Sequence, residues 1–310
     1  MKILVTGGAG FIGSNLVDAL IEKSHEVSVV DNLSTGSRDN VNKNAKLFEA
    51  DITDADNLDK IFSEIKPEVI FHLAAQASVI VSAKDPALDI KTNVIGTVNL
   101  LMAAKQYKVK KFIFSSTGGA IYGDKAERPT TEKAESEPVS PYGIDKLFAE
   151  RFIKYFSDEG LQSVVLRYAN VFGPRQNPKG EAGIVAIFTA GMILNEKLNV
   201  FGDGTHTRDF VYVGDVVNAN LLAMESDVND TFNVGTGSET SVNGIVEIIK
   251  ELAGSKSEIA HIDYKAAEQE HSSLDASKIK ESLGWKPRVT LKDGLQKTIE
   301  WFIDNSKGKK

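Results

Sequence analysis

Residues 6–13 have the sequence Thr-Gly-Gly-Ala-Gly-Phe-Ile-Gly, a glycine-rich turn between an apolar run and an amphipathic segment. The glycines fit Gly-x-Gly-x-x-Gly as Gly8, Gly10 and Gly13, and Gly-x-x-Gly-x-x-Gly as Gly7, Gly10 and Gly13. Such a turn is tight, lets the backbone approach a pyrophosphate, and holds the anion at the N-terminus of the next helix. The stretch therefore predicts the first strand, turn and helix of a doubly wound α/β fold.

Short apolar runs alternate with helical patterns through the first half of the chain. Many runs are continuously apolar and rich in Val and Ile, as in strands buried on both faces of a parallel sheet. Repeated strand–helix units predict a Rossmann-type, doubly wound parallel sheet with right-handed crossovers. The predicted strands are residues 2–6, 27–31, 46–50, 69–73, 111–115 and 163–167, and the predicted helices are 11–23, 54–65, about 88–107 and 142–157.

The alternation of strands and helices changes after residue 173. We expect residues 1–173 to form a Rossmann domain that also receives elements from about 210–235. Residues 174–310 should mainly form a smaller α/β domain over the carboxyl ends of the sheet, where open α/β sheets bind ligands. Its predicted helices are near 182–194, 215–224, 241–252, 276–283 and 291–302, and its predicted strands are near 200–201, 210–213 and 232–234.

Composition excludes several kinds of site and partner. The chain has no cysteine, which rules out disulfides, thiolate metal ligands and a cysteine nucleophile. Its net charge of −7 argues against a nucleic-acid partner, and no run approaches the ~20 apolar residues of a membrane span. The five histidines show no metal-ligand spacing, and the N-terminus shows no signal-peptide pattern. We expect a cytoplasmic protein with no membrane partner and no metal.

A second pattern, Tyr142-x-x-x-Lys146, points to proton transfer. The i, i+4 spacing places the phenol and the ammonium on one face of a helix, and a nearby cation lowers a Tyr pKa from about 10. A phenolate can take a proton from a sugar hydroxyl while a nicotinamide takes the hydride from the same carbon. Thr117, which ends Ser115-Ser116-Thr117, is the third candidate. By itself, the Tyr-x-x-x-Lys spacing also fits a pair of surface residues on a helix. Its combination with the glycine turn favours a catalytic role.

Asp31 indicates which cofactor the glycine turn would bind. It lies 18 residues after Gly13, at the end of the second predicted strand. A carboxylate at this position accepts hydrogen bonds from the adenosine ribose and repels a 2′-phosphate, so NAD is favoured over NADP. The alternative is structural: a glycine turn that begins a helix, and a turn at Asp31-Asn32.

Motifs along nearly the whole chain carry a family resemblance. They are residues 6–13, 31–36, 51–52, 72–76, 140–143 with Lys146, 166–174, 207–211 and 232–235. On these motifs the chain resembles the extended short-chain dehydrogenase/reductase family, specifically its UDP-glucose (UDP-galactose) 4-epimerase-like nucleotide-sugar enzymes.

The resemblance implies a set of cofactor-binding residues. Asp31, Asn32 and Ser34 would hold the adenosine ribose, and Asp51 and Ile52 would border the adenine. Leu73, Ala74 and Ala75 would line the cofactor channel, and Asn93 would support it. The other implied cofactor residues are Gly7, Gly10, Phe11, Ile12, Gly13, Thr35, Gly36, Gln76, Ser115, Tyr142, Lys146 and Tyr168.

The residues after Thr117 bear on the reaction. Gly118 and Gly119 follow it, whereas the family's sugar 4,6-dehydratases carry an acidic residue there. The resemblance therefore implies 4-epimerisation of UDP-hexoses by an isomerase with tightly bound NAD, through a transient 4-keto sugar. Tyr142 would be the base, Lys146 would lower its pKa, and Thr117 would hydrogen-bond the C4 oxygen. The alternatives are another nucleotide-sugar oxidoreductase, a uronate epimerase or decarboxylase, and a non-catalytic NAD-binding protein.

The resemblance also implies contacts with the UDP-sugar. Asn170 and Arg208 would bind the diphosphate, and Val200 and Phe201 would flank the uracil, although these two also fit a core strand. Lys265-Ala266-Ala267-Glu268 replaces the Arg-Pro-Gly-Asp/Glu run of many relatives, and Lys265 offers charge without a bidentate fork. Ser272 would face the C2 substituent of the sugar. Because a small residue leaves room for an acetamide, we expect N-acetylhexosamines to be substrates as well.

The same resemblance implies a homodimer through the helices near 88–107 and 142–157. The second helix carries Leu147, Phe148, Phe152 and Phe156, more apolar surface than one helix face needs. The alternative is that the sheet of the same chain buries all four.

Overall fold

The computed structural model describes residues 1–179, 183–263 and 269–307. The strands are β1 (Lys2–Thr6), β2 (Glu26–Asp31), β3 (Lys46–Glu49), β4 (Val69–His72), β5 (Lys111–Thr117), β6 (Gln162–Tyr168), β7 (Asn170–Phe172), β8 (Leu198–Phe201), β9 (Thr207–Arg208), β10 (Phe210–Tyr212), β11 (Asp230–Val234), β12 (Thr240–Ser241) and β13 (Ile259–Ile262).

The helices are α1 (Phe11–Glu22), α2 (Ala55–Ile65), α3 (Val79–Lys84), α4 (Pro86–Asp89), α5 (Gly96–Gln106), α6 (Gly118–Ile121), α7 (Pro141–Asp158), α8 (Ile184–Ile193), α9 (Val213–Glu225), α10 (Val242–Ala253), α11 (Ser277–Leu283) and α12 (Leu291–Lys307). A 3₁₀ turn spans Arg38–Asn40, and a π-helical turn, Ile90–Ile95, joins α4 to α5. No helix of the described ranges is long and apolar enough to cross a membrane.

A seven-stranded parallel sheet forms the centre of the fold, in the order β11-β6-β5-β4-β1-β2-β3. Its strands are short and apolar on both sides, so helices must cover both faces. On one face α1 and α9 pack together and bury Leu16, Val17 and Val216. On the other, α2, α5 and α7 bury Phe62 and Leu100 among their neighbours. The predicted Rossmann-type fold is confirmed.

A smaller layer built from α8, α10 and α12 stands beside the main sheet. These helices share an apolar core with β7, β8 and β10, which includes Phe172, Phe188, Ile245 and Leu295. Two strands near it form a parallel pair, β8 with β13, in which Val200 is opposite His261. The layer is therefore stabilised by its own core.

Chain segments after residue 173 contribute to both layers. β11 pairs with β6 in parallel and becomes an edge of the main sheet, with Phe232 opposite Leu166. Helix α9 packs on the same sheet against α1. The positions of α9 and β11 are consistent with the expected return of this part of the chain to the first domain, whereas β10 packs in the smaller layer. The boundary at residue 173 stays a prediction.

Helix α7 begins where the sequence predicts. The Ser140 hydroxyl accepts a hydrogen bond from the Gly143 amide at 3.2 Å, and Pro141 occupies the first helical position. Both features favour a helix start, because the cap satisfies an orphan amide and proline has no amide to satisfy. An ideal Cβ on Gly143 would lie 2.3 Å from the Ala120 carbonyl oxygen. Glycine therefore lets α7 pack closely against α6.

The helix predicted over about 88–107 is present without a break from Pro86 to Gln106, but it contains a π-helical turn that was not predicted. The segment consists of α4, the π-helical turn and α5. The Thr97 hydroxyl donates to the Asn93 carbonyl at 2.6 Å, and the Asn93 side chain bonds residue 76 of a distant loop. Because π-helical turns arise from such tertiary constraints, a local helical pattern does not reveal them.

Candidate active site

A cleft of about 1270 Å³ runs over the carboxyl ends of the central strands and is bounded on the far side by α8 and α12. The predicted cofactor residues line it, apart from Asn93: Gly7, Gly10, Phe11, Ile12, Gly13, Asp31, Asn32, Ser34, Thr35, Gly36, Asp51, Ile52, Leu73, Ala74, Ala75, Gln76, Ser115, Tyr142, Lys146 and Tyr168. Of the predicted substrate residues, Thr117 and Asn170 also line the cleft.

The glycine turn leaves no space for side chains. A Cβ on Gly7 would lie 2.6 Å from the Ala74 nitrogen, and Gly7 has a positive φ of 71°. A Cβ on Gly13 would lie 2.1 Å from the Gly7 carbonyl oxygen. The first-turn amides of α1 have no intrahelical partner and lie at the positive end of the helix dipole. The turn therefore forms an anion site of the kind that binds a pyrophosphate.

Asp31 is held at the second strand end by two backbone amides. Its Oδ2 accepts from Ala9 N at 2.9 Å and its Oδ1 accepts from Leu33 N at 2.8 Å. A carboxylate has about four lone-pair positions, so two remain for ribose hydroxyls. The fixed position of this carboxylate next to the glycine turn fits NAD.

Asp51 provides a second fixed carboxylate on the same side of the cleft. Asn32 Nδ2 donates to Asp51 Oδ2 at 2.9 Å, and the Thr53 amide donates to Oδ1 at 2.8 Å. Partial burial alone would raise the pKa of Asp51, but these hydrogen bonds outweigh it and leave the pKa below the ordinary value of 3.8. Asp51 is therefore ionised at neutral pH and orders the Asn32 side chain.

Tyr142, Lys146 and Thr117 all line the cleft. Tyr142 and Lys146 lie on the first turns of α7, and Thr117 ends β5. The Lys146 ammonium is buried, donates to the Ser115 carbonyl at 3.0 Å, and lies 4.7 Å from the centre of the Phe114 ring. It is also 6.0 Å from the centre of the Tyr142 ring. The cation is thus fixed near the phenol, as the spacing predicts.

Two nearby aromatic groups are poor candidates for the base. Burial raises the pKa of Tyr168 well above 10, against smaller opposing effects of hydrogen bonds with Asn220 and Ser115. Burial, and secondly the positive charge of Lys146, hold the pKa of His72 well below 6.5. His72 is therefore a neutral structural group, and Tyr142 remains the candidate for proton transfer in the cleft.

Asn93 acts behind the cleft wall. Its side chain accepts from the Gln76 amide at 2.9 Å and donates to the Gln76 carbonyl at 2.8 Å. Gln76 itself lines the cleft, so Asn93 fixes the backbone of a cofactor loop without reaching the cofactor. This position is consistent with the supporting role that the family resemblance implies.

Asn170 and Thr117 share one corner of the cleft. A Cβ on Gly119 would lie 3.3 Å from Asn170 Oδ1 and 3.9 Å from Thr117 Oγ1. The two polar side chains therefore border the same space. Gly118 and Gly119, which follow Thr117, have no side chains that could enter this space.

Other predicted substrate residues lie away from the cleft lining. Val200 is buried in the core of the smaller layer, and Phe201 is 57% exposed on the other face of β8. Arg208 donates to the Thr207 and Glu270 carbonyls at 2.9 Å each. Ser272 is buried, and its amide donates to the Thr207 carbonyl. Lys265 and Glu268 lie outside the described residues, and the substrate roles of all six stay predictions.

The cleft also contains residues that the sequence analysis missed. Arg175 lies beside the glycine turn, where its Nη2 contacts Asp18 Oδ2 at 2.6 Å. Its Nη1 is buried and has no hydrogen-bond partner within the described ranges. Trp301 and Asn305 of α12 line the far side. Arg175 directly follows Gly173-Pro174 at a strand end, so its place in the cleft was predictable from the sequence. No comparable pattern marks Trp301 and Asn305 of α12 as cleft residues.

Comparison with known proteins shows the family to which the chain belongs. The model of the NAD dependent epimerase/dehydratase family matches residues 3–235. A solved UDP-glucose 4-epimerase with UDP-glucose from Thermotoga maritima is 52% identical, with a TM-score of 0.97 and coverage of 99% of this chain and 100% of that one. A UDP-glucose 4-epimerase complex with NAD from Thermus thermophilus is 41% identical, with a TM-score of 0.94 and coverage of 98% and 99%.

A curated relative extends the similarity. The UDP-glucose 4-epimerase of Mycolicibacterium smegmatis is 42% identical over 313 residues, which cover 99% of this chain and 100% of that protein. The resemblance found in the sequence and the prediction of NAD as cofactor are both confirmed. The chain belongs to the NAD dependent epimerase/dehydratase family, among the extended short-chain dehydrogenases/reductases.

Proposed function

We propose that this protein is an isomerase that interconverts UDP-glucose and UDP-galactose by inverting C4 of the hexose. One observation carries the proposal: Tyr142 and the fixed Lys146 ammonium line the cleft together with Thr117, and glycines follow Thr117. Epimerisation through a 4-keto sugar needs one base and one hydride acceptor. It does not need the additional acid that elimination of water from the sugar requires.

The protein groups divide the proton transfer between them. The Tyr142 phenolate accepts the proton of the C4 hydroxyl, and the fixed Lys146 ammonium stabilises the phenolate by its charge. The Thr117 hydroxyl donates a hydrogen bond to the C4 oxygen. After the transient ketone presents its other face, Tyr142 returns the proton to the inverted oxygen.

NAD, when bound, supplies the nicotinamide that accepts the C4 hydride and returns it. The glycine turn, the first-turn amides of α1 and Asp31 would hold its pyrophosphate and adenosine ribose. Lys146 would reach the nicotinamide ribose from the Tyr142 end. Because the cofactor leaves the cycle in its starting state, it can stay bound between turnovers.

The nucleotide would be anchored by the smaller layer. Asn170 borders the same space as Thr117 and can donate to a phosphate oxygen. Arg208 would add a guanidinium, whose fork suits phosphate. Val200 and Phe201 near the uracil, Lys265 and Glu268 near the phosphates, and Ser272 near C2 of the sugar remain part of this proposal, as does turnover of N-acetylhexosamines.

Incubation with a panel of UDP-sugars, followed by NMR, tests the proposal. UDP-glucose and UDP-galactose should interconvert to the same mixture from either side, without net reduction of NAD. The panel should include UDP-N-acetylglucosamine, which Ser272 is expected to admit, and UDP-glucuronate. Release of CO₂ from UDP-glucuronate, without C4 inversion of any sugar, would favour the decarboxylase alternative.

We infer a homodimer from an exposed apolar face on the helices flanking the active site. On α7, Phe148 is 55% exposed and Phe152 is 40% exposed. On the adjacent α5, Met102 is 58% exposed. Phe156, the fourth apolar residue counted on this helix, is buried in the core beneath the sheet, as the alternative expects. A second copy would cover the face, and sedimentation at micromolar concentration should give twice the 33.7 kDa chain mass. A cytoplasmic location stays a prediction.

A further inference from the structure

A pair of buried carboxyl groups lies behind the catalytic helix. Asp145 stands on α7 between Tyr142 and Lys146, and Asp89 ends α4. Their exposed fractions are 4% and 0%. The mechanism above uses neither group, and burying a carboxylate is costly unless it is paired or hydrogen-bonded.

Asp89 accepts three hydrogen bonds from neighbouring side chains. Its Oδ1 accepts from Gln76 Nε2 at 2.7 Å and from Asn93 Nδ2 at 3.0 Å. Its Oδ2 accepts from Ser82 Oγ at 2.7 Å. Three donors around one buried carboxyl stabilise its charged form.

Asp145 has the opposite surroundings. Helix α7, which carries Asp145, packs against α4, which carries Asp89, and both carboxyls are buried in this contact. The Asp89 carboxyl is near enough to hydrogen-bond the Asp145 side chain. Its Oδ2 is buried and has no donor among the described residues. Two carboxylates in contact inside a protein repel each other, which raises the pKa of one of them, so the pair holds a proton below about pH 7. Because three donors already surround the Asp89 carboxyl, the proton is placed on Asp145, which donates it to Asp89.

This hydrogen bond joins two parts of the active site. Through Asp145 it is connected to the helical turn that carries Tyr142 and Lys146. Through Asp89 it is connected to Gln76 and Asn93, which fix the cofactor loop.

We propose that protonated Asp145 is a positioning residue, whose hydrogen bond to Asp89 keeps the Tyr142–Lys146 turn aligned with the cofactor loop. The proposal rests on the proposed function, because alignment matters for turnover. Loss of this proton places a second negative charge in the buried pair and drives α7 away from α4.

Of the ionisable groups around the buried pair, Asp89 is the one that faces Asp145. Tyr142 and Lys146 flank Asp145 on its own helix, and Lys146 donates to the Ser115 carbonyl. His72 of β4 is neutral. Of the remaining charged groups on elements packed against α7, Lys84, Asp85 and Lys91 are exposed, and Lys105 and Arg167 pair with Glu159 and Glu150. Lys111 of β5 is buried and donates to the Ala223 and Met224 carbonyls.

The direction of the pH effect follows from these contacts. Burial, followed by the hydrogen bond and like charge of Asp89, raises the pKa of Asp145 from 3.8 to about 7. A carboxyl whose pKa is higher in the folded protein contributes stability that is lost as pH rises through the folded pKa. That loss of stability falls between pH 3.8 and about pH 7. Turnover should fall as pH rises through about 7 because ionised Asp145 can no longer donate to Asp89, whereas ionisation of the Tyr142 base acts in the opposite direction.

The Asp145→Asn variant keeps the hydrogen bond to Asp89 but cannot ionise, because its side-chain amide donates to Asp89 at every pH. The ratio of Asp145→Asn turnover to unmodified turnover should rise at least about tenfold between pH 6 and pH 9, as expected for loss of one ionisation. At pH 6, Asp145→Ala should lose activity that Asp145→Asn retains. A pH profile unchanged by Asp145→Asn would overturn the proposal.

Infrared spectroscopy provides a readout that does not need turnover. The unmodified protein should show a carbonyl band of a protonated buried acid at pH 5.5 that disappears as pH rises through about 7. Asp145→Asn should lack the band. If the band titrates but the protein inverts C4 of no UDP-sugar, the proposed function is wrong, whereas the proton held between Asp145 and Asp89 is confirmed. Absence of the band at pH 5.5 would overturn the shared proton itself.

Discussion

Arg167 and Glu150 form a bidentate ion pair beneath the active site. Arg167 Nη2 donates to Glu150 Oε2 at 2.6 Å, and Nε donates to Oε1 at 3.0 Å. Ser116 Oγ donates to the same carboxylate at 2.6 Å. The pair therefore ties α7 to β5 and β6, the strands that end at Thr117 and Tyr168.

Arg167→Met should destabilise the protein strongly. It leaves the Glu150 carboxylate buried without its cation, which typically costs about 3–5 kcal/mol of unfolding free energy. Chemical denaturation measures this change. Lys154→Met is the matched control, because Lys154 pairs with Asp158 on the exposed face of the same helix, and such pairs contribute less than about 1 kcal/mol. Adding Glu150→Gln to Arg167→Met should recover part of the loss; equal effects of Arg167→Met and the control would contradict the account.

Asp31→Ala should weaken NAD binding and narrow the preference for NAD over NADP. Hydrogen bonds to a charged group contribute about 1.5–3 kcal/mol, so affinity for NAD should fall roughly 10- to 100-fold. Calorimetry on protein freed of cofactor measures both affinities. Asp31→Asn is the control, since its amide oxygen can still accept from the Ala9 amide. Equal affinity of the unmodified protein for NAD and NADP would show that Asp31 does not select the cofactor.

Gly143→Ala should impair the enzyme although it adds one methyl group. The new Cβ would lie 2.3 Å from the Ala120 carbonyl oxygen, so α7 must shift away from α6 and carry Tyr142 with it. Gly244→Ala is matched, because Gly244 also follows a capping serine at a helix start, and its nearest atoms are 3.3 Å away in side chains. Thermal unfolding and turnover should both drop for Gly143→Ala only. Equal behaviour of the two variants would contradict this packing argument.

The sequence predicts the parts of the site that belong to local patterns. The glycine turn, Asp31 and the Tyr142–Lys146 pair each combine a motif with a neighbouring strand or helix, and all line the cleft. The position of Val200 was also readable, because β8 alternates buried and exposed residues. Trp301 could not be predicted, because its place in the cleft depends on how α12 packs rather than on its sequence neighbours.

Tyr142→Phe should abolish proton transfer while keeping the ring. General acid–base steps contribute about 10²–10⁴-fold, so turnover should fall by that order. Bound NAD should remain, because the glycine turn and Asp31 are untouched. Tyr155→Phe is the control on the same helix, since Tyr155 is 58% exposed. Near-normal turnover of Tyr142→Phe would require a different base.

The central claim is that the hydride leaves C4 and returns to C4 of the same sugar within one closed site. UDP-galactose carrying deuterium at C4 tests it directly, with NMR of the product after incubation in ordinary water. We predict UDP-glucose that has an inverted C4 and retains its deuterium. Loss of the deuterium to water, or failure of C4 to invert, would contradict the account.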